Sequence, residues 1–371
     1  MEENLTEKEL WLWYAILIEQ KNGVTNNSFK NTEQIEHLYK SDIERLTKIY
    51  GYTEKEAKLI EKSKDKAAID KYIYIMKEKD IKLVTLEDDK YPLRLRYYRD
   101  SPGFLFYRGS LPREYLPTVG MVGARACSNY GRNMAKSVGR ELSSNNIQII
   151  SGLARGIDTY SLIGGVEGGT PTYAVLGCGV DICYPSENIE LYEDILNGGG
   201  GVISEYLPGA RPIPWHFPLR NRIISGLSDQ IAVIEAREKS GSLITVEYGL
   251  EQGKDIWAVP GRVGDTLSSG CNRLLKSGAG VLTSGYDILC ELQGRMKDIS
   301  LLKKKNEDSL DTIDEREVKV YAAIESYPVN INTIMERTQI EYTDLIEILL
   351  KLQLDGIVEE VGKNFYVRNS K

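Results

Sequence analysis

Seven short apolar runs recur along the middle of the chain: "TVGMVG", "IQIISG", "TYAVLG", "GVISEY", "DQIAVIEA", "DIWAVPG" and "AGVLTS". Each lacks polar alternation and is followed by a plausible helix. A strand that is apolar on both faces must be covered on both faces, and connecting helices do this most economically in a parallel or mostly parallel sheet. The runs therefore predict an α/β core that begins near Ile81, where "IKLVTL" is strand-like and leads into an extended connector punctuated by Pro92, Pro102, Pro112 and Pro117.

The flanks read differently. Residues 1–80 carry three Ser/Thr-x-x-Glu capping boxes, Thr6 with Glu9, Ser41 with Glu44 and Thr53 with Glu56, and apolar positions at helical spacing such as Leu10, Trp13, Tyr14 and Leu17. They predict a small helical domain. The core is expected over 81–297 and a charged linker over 298–312, "KKKNEDSLDTIDERE" being its signature. Over 313–371, helices near Asp314 to Ser326, Ile331 to Thr338 and Tyr342 to Leu354 precede a strand pair around Gly362 and predict a winged helix.

Composition narrows the chemistry. The only histidines are His37 and His216, too few for most metal sites and proton relays, and the five cysteines are too scattered for a disulfide framework or a zinc site. No Walker A sequence or G-x-S-x-G elbow occurs, and "GCGVDI" fails as a dinucleotide fingerprint because Ile182 stands where the third glycine belongs. No cofactor is expected. No run of eighteen apolar residues and no basic leader is found, so a cytoplasmic protein without a membrane is expected. A net charge of -7 argues that any nucleic-acid contact is a local patch.

Ligands of an open parallel sheet sit beyond the carboxyl ends of its strands. There the loops "GARACSNYG", "SGLARGID" and "EAREKSGSL" place Arg125, Arg155 and Lys239 with Arg237 beside glycines and serines. The segment "GARPIPWHFPLRNRIISGLS" interleaves Arg211, Arg220 and Arg222 with Trp215, His216 and Phe217. Guanidinium forks suit phosphates and aromatic faces suit unstacked bases, so the mixture fits a single-strand groove. The same residues also fit a charged rim around a buried aromatic cluster; recurrence over several loops favours the groove. His216 is more often a packed residue than a base. A nucleotide-processing enzyme of the phosphoribohydrolase kind is the alternative use of this edge, with Asp158, Glu205 or Glu247 as its carboxylate, although Glu247 reads more simply as a solvated helix residue.

From Ile81 to Leu289 the chain resembles the DNA-processing protein A (DprA/Smf) family. The resemblance rests on "YP" at Tyr91, "GxR…SxYG" at Gly123 to Gly131, "SGLARGID" at Ser151 to Asp158, "AVLGCGVDICYPSEN", "FPLRNRIISGLS", "VIEA…KSGSLIT" and "GCNRLLKSGA". It implies a Rossmann-like, doubly wound core with an N-terminal helical domain of the SAM or helix-hairpin-helix kind and a C-terminal winged helix. It further implies that the protein is not an enzyme. The expected role is to bind single-stranded DNA, to protect incoming strands and to deliver them to the RecA recombinase in natural transformation. Partners would be RecA, single-strand-binding protein indirectly, and a second copy in a homodimer. The expected strand contacts are Gly123, Ala124, Arg125, Ser151, Gly152, Arg155, Phe217, Arg220, Asn221, Arg222, Lys239, Ser240 and Gly241. Where relatives carry a basic residue after "YP", this chain has Ser186 and Glu187. The acidic stretch "YTDLIEILLKLQLD" from Tyr342 to Asp355, with Asp344, Glu347 and Asp355 against Lys351, suits a protein contact better than a major groove.

Overall fold

The computed structural model describes residues 5–20, 29–292, 315–325, 329–354, 357–362 and 364–368. They divide into two compact units, Met1–Cys290 and Glu291–Lys371. The expected linker lies outside the described residues.

The first unit opens with α1 (Glu7–Gln20), α2 (Thr32–Lys40), α3 (Ile43–Lys48), α4 (Glu54–Ser63) and α5 (Lys66–Glu78). Two of the expected capping boxes form: the Thr6 amide donates to Glu9 at 2.7 Å, and Thr53 and Glu56 cap α4 reciprocally. The third does not. Asp42 caps α3 by accepting from the Arg45 amide at 2.8 Å, while Ser41 ends α2 and donates its hydroxyl to the His37 carbonyl at 2.7 Å. A carboxylate one residue on is the stronger acceptor and takes the cap.

These helices share a core with the sheet. Trp11 packs edge-on against Phe104 at 6.2 Å, and Leu38, Ile60 and Ile69 belong to one apolar cluster with Phe106, Leu162 and Leu176. The helical segment is thus part of the same compact unit as the sheet.

Among the described residues nine strands form that sheet: β1 (Lys82–Thr85), β2 (Phe104–Gly109), β3 (Thr118–Val122), β4 (Gln148–Ser151), β5 (Tyr173–Leu176), β6 (Gly201–Ser204), β7 (Gln230–Val233), β8 (Asp255–Ala258) and β9 (Gly280–Val281), in the order β1-β2-β6-β5-β4-β3-β7-β8-β9. Strands β3 to β9 run parallel, and β2 joins β6 antiparallel with β1 at the edge. Strand β2 falls within the stretch read as a proline connector. Pro102 and Pro112 bound it rather than interrupt it.

The helices α6 (Leu93–Arg96), α7 (Asn129–Ser143), α8 (Ile157–Gly168), α9 (Ile189–Asn197), α10 (His216–Leu227), α11 (Ser242–Glu251) and α12 (Ser269–Lys276) follow along the chain. On β5, Ala174 and Leu176 meet the cluster that holds Leu162 of α8 and Leu191 of α9; Tyr173 and Val175 meet the one that holds Ile223 of α10 and Leu243 of α11. Successive side chains enter opposite faces, so both faces are cores. This is the doubly wound, mostly parallel sheet. Its chain order reverses at β3, which pairs in parallel with both β4 and β7, and connections leaving that point in opposite directions open a crevice at the strand ends.

The second unit contains α13 (Glu315–Ala323), α14 (Ile331–Thr338) and α15 (Tyr342–Leu354), with β10 (Val329–Asn330), β11 (Val358–Gly362) and β12 (Phe365–Arg368) in the order β10-β12-β11. Val320, Ile334, Leu345, Leu349 and Tyr366 share its core in a winged-helix arrangement. On α15, Asp344 pairs with Arg316 at 3.1 Å and Lys351 with Glu317 at 2.5 Å, while Asp355 lies outside the described residues. No described helix is long and apolar enough to cross a membrane.

Helices α7 and α8 touch through their backbones. A Cβ on Gly164 would lie 2.2 Å from the Lys136 carbonyl oxygen, and one on Gly139 would lie 2.5 Å from that of Ser161. Neither carbonyl can turn aside without breaking its helix. Gly164→Ala is expected to lower stability by about 1–3 kcal/mol by overpacking, read from the urea midpoint; an unchanged midpoint would mean that the helices have room to separate.

Candidate nucleic-acid interface

A cavity of about 580 Å³ occupies the crevice, walled by the loops after β3, β4 and β7 and by the first turns of α10 and α11. Its rigidity comes from how the loops tie to one another. The Glu235 carbonyl accepts the Ala124 amide at 2.7 Å, and its carboxylate accepts the Ser128 amide at 2.8 Å and the Ser128 hydroxyl at 2.5 Å. Ser128 in turn caps α7 by accepting from the Gly131 amide at 3.0 Å.

The loop after β4 is equally constrained. Gly152 donates its amide to Asp158 at 3.2 Å, Thr159 donates its hydroxyl to the Ala154 carbonyl at 2.7 Å, and Asn188 reaches in to donate to the Leu153 carbonyl at 2.9 Å. Leu153 is buried at φ 55° and Gly156 stands at φ 80°. A Cβ on Gly156 would lie 2.4 Å from the carbonyl oxygens of both Ala124 and Arg125, so only glycine lets the two loops meet. At the apices Arg125 and Arg155 remain exposed.

Arg125 lays its guanidinium over the Phe217 ring at 5.3 Å, and Tyr184 stands against the same ring at 5.7 Å between centroids, tilted by 31°. Tyr184 and Trp215 are about half exposed. Cation and aromatic faces thus line one rim, the combination that grips phosphate and stacks a base.

Residues 82–293 match the family model "DNA recombination-mediator protein A", and residues 304–362 match the "DprA winged helix domain". The chain belongs to the DNA recombination-mediator protein A (DprA/Smf) family. It is 45% identical to the DNA processing protein DprA of Streptococcus pneumoniae over 206 residues, which cover 56% of this chain and 72% of the relative. It is 33% identical to Protein Smf of Escherichia coli over 291 residues, 77% of each. The X-ray structure of the Streptococcus pneumoniae protein superposes with a TM-score of 0.63 at 34% identity, covering 78% of this chain and 99% of that one. The Helicobacter pylori DNA processing protein A, whose structure is described for its single-stranded DNA binding mode, superposes at 0.52 with 27% identity over 58% of this chain and 97% of that one.

Against the contacts that the family pattern implies, the crevice gathers Gly123, Ala124, Arg125, Phe217, Arg220, Asn221, Ser240 and Gly241, and adds Tyr184 and Arg237. Arg220 forms its floor: buried, it donates Nη1 to the carbonyls of Gly152, at 2.8 Å, and of Val175. Arg222 is elsewhere, held between both Glu205 oxygens at 2.7 Å in a buried pair. Two residues along a helix is about 200° of turn, so Arg220 and Arg222 cannot both face the crevice. Arg222 is therefore withdrawn as a phosphate contact. Ser151 and Gly152 are withdrawn as amide donors to a strand, because both are buried, the Ser151 hydroxyl donates to the Met121 carbonyl at 2.6 Å and the Gly152 amide is held by Asp158. Lys239 is exposed on its loop, but Arg237 is the cation of that loop that lines the cavity. Arg155 is exposed and engaged by Glu187.

The remaining candidates for chemistry are committed to packing. His216 stacks on Tyr206 at 3.8 Å with Nδ1 3.1 Å from the Gly177 carbonyl, and burial lowers its pKa. Burial pushes the Cys178 and Cys271 thiols up to about 12. Glu247 is exposed on α11, and among the described residues Asp158 is the one carboxylate lining the cavity. No group of three or more His, Cys, Asp or Glu side chains among the described residues is placed to hold a metal ion.

Burial raises the Asp158 carboxyl to about 6, against the pull of Arg220, the Ala154 and Gly152 amides and Arg125. Between the unfolded value of 3.8 and about 6 the folded chain binds the extra proton, so this group's ionisation costs stability as pH rises through that window. Urea unfolding should show Asp158→Asn closing on the wild type by about 2 kcal/mol between pH 4.5 and pH 7; a constant gap would place the titration elsewhere.

Proposed function

We propose that this chain binds single-stranded DNA along the carboxyl edge of its sheet and hands the strand to the RecA recombinase during DNA uptake, protecting it on the way. The observation that carries the reading is Arg125 laid on Phe217 beside Tyr184, at the rim of a crevice whose loops are locked in place. Phosphates pass over Arg125 and Arg237, bases stack on Phe217 and Tyr184, and the Ser240–Gly241 turn lets the backbone come close. Single strands are preferred because a base must leave its duplex before it can stack. The named single-strand binding of the Helicobacter pylori relative supports the reading.

In this reading the protein is a mediator in the cytoplasm rather than an enzyme and takes no cofactor. It acts as a homodimer that meets single-strand-binding protein only through the shared strand. A nucleotide hydrolase is the weaker use of the crevice, since Asp158 is held by backbone amides beside Arg220, Glu205 is paired with Arg222 and Glu247 faces solvent. The C-terminal unit, whose α15 carries Asp344 and Glu347, serves a protein contact.

Fluorescence anisotropy with labelled oligo-dT and the corresponding duplex should show tighter binding of the single strand, and equal affinity would sink the proposal. Arg125→Ala should weaken oligo-dT binding at least about tenfold with unchanged circular dichroism, and Phe217→Ala should cost about 1–3 kcal/mol. Unaltered affinity in Arg125→Ala would remove that residue from the path. RecA captured from host extract only in the presence of single-stranded DNA and this chain would support delivery; no capture would remove it.

A further inference from the structure

We propose that Glu187 is a built-in competitor for the strand, its carboxylate standing on Arg155 where a phosphate would otherwise sit. The inference rests on the single-strand reading above and concerns the far end of the same path. Arg155 Nε donates to Glu187 Oε1 at 2.8 Å and Nη2 donates to Oε2 at 3.0 Å, a two-point grip that matches how a guanidinium holds a phosphate. Ala154, the residue before Arg155, and Tyr184, which stands against Phe217 two residues before the Glu187 turn, both line the cavity, so the pair continues the rim from Arg125 through Phe217 and Tyr184.

The pair is not a chance meeting of long side chains. Glu187 sits in the turn Ser186–Asn188, and the next residue, Asn188, is buried and ties that turn to the Arg155 loop through the Leu153 carbonyl and the Thr159 hydroxyl, each at 2.9 Å. Loop and turn therefore present their charges to each other already placed. Both side chains remain open to water, 63% and 54% exposed, so the pair is weak enough for a polyanion to displace. Once displaced, Glu187 is left as a bare negative charge beside the strand and takes up a counterion. Arg155 thus adds to strand binding less than an unpaired arginine would, and less of the salt dependence that each captured phosphate brings.

Oligo-dT binding measured over a range of salt tests this with Glu187→Gln, Arg155→Ala, the double variant and Glu190→Gln, an exposed carboxylate on α9 that serves as a charge control. Glu187→Gln should bind about two- to fivefold tighter than wild type, with a salt slope steeper by up to about 0.7. The gain should vanish in the Arg155→Ala background and be larger than that of Glu190→Gln. A gain that persists without Arg155, or that Glu190→Gln matches, overturns the inference, as does no gain at all. Wild-type protein that fails to bind oligo-dT overturns the single-strand reading and this inference together, whereas normal wild-type binding with an unresponsive Glu187→Gln overturns the inference alone.

Discussion

Backbone meeting backbone at the point where the sheet reverses its winding governs the architecture. The loops after β3 and β4 approach until Gly156 lies under the carbonyls of Ala124 and Arg125, and Glu235 at the end of β7 holds the first of them from the other side. Side chains on that surface inherit positions they do not have to find for themselves. An arginine on a free loop must order backbone and side chain together on meeting a ligand; one raised on a loop locked at both feet has only its side chain left to order, which in the proposed reading favours a local patch on a chain of net charge -7.

The same packing separates this edge from a dinucleotide fingerprint despite its topology. The glycine turn after β3 is present, but Gly123 serves close packing, with Ile157 and the Glu235 carbonyl each within 3 Å of a Cβ placed on it. In the proposed reading, anions are met outside that packing, at the guanidinium groups and rings of the rim. A polymer that runs across the surface fits such a rim better than a small molecule that must enter.

The sheet was legible because continuous apolar runs leave few other folds open, and the winged helix because its helices and glycine hairpin follow ordinary periodicity. The edge strand β2 was obscured by flanking prolines, which mark strand ends as readily as loops. Within the crevice, motif reading located the loops but not the direction of each side chain. Arg220 and Arg222 look equivalent in "LRNR", and only the pitch of α10 sends one to the floor and the other into a buried pair with Glu205. Ser151 and Gly152 sit inside a motif whose spacing reflects the needs of the loop itself. Tyr184 carried a weak signal, an aromatic residue beside a proline in the loop after β5, and Arg237 was overshadowed by the neighbouring lysine.

The shared core of the N-terminal helices and the sheet has a consequence for what counts as a module. The family match starts at residue 82, as though the sheet were self-sufficient, yet Phe104, Phe106, Leu162 and Leu176 rest against Trp11 and its neighbours. Cutting the chain at that boundary would bare an oily face broad enough to seek another cover. The stretch that is inherited as a recognisable block and the stretch that hides its own grease from water are therefore of different lengths, and the longer one sets where this protein can be divided.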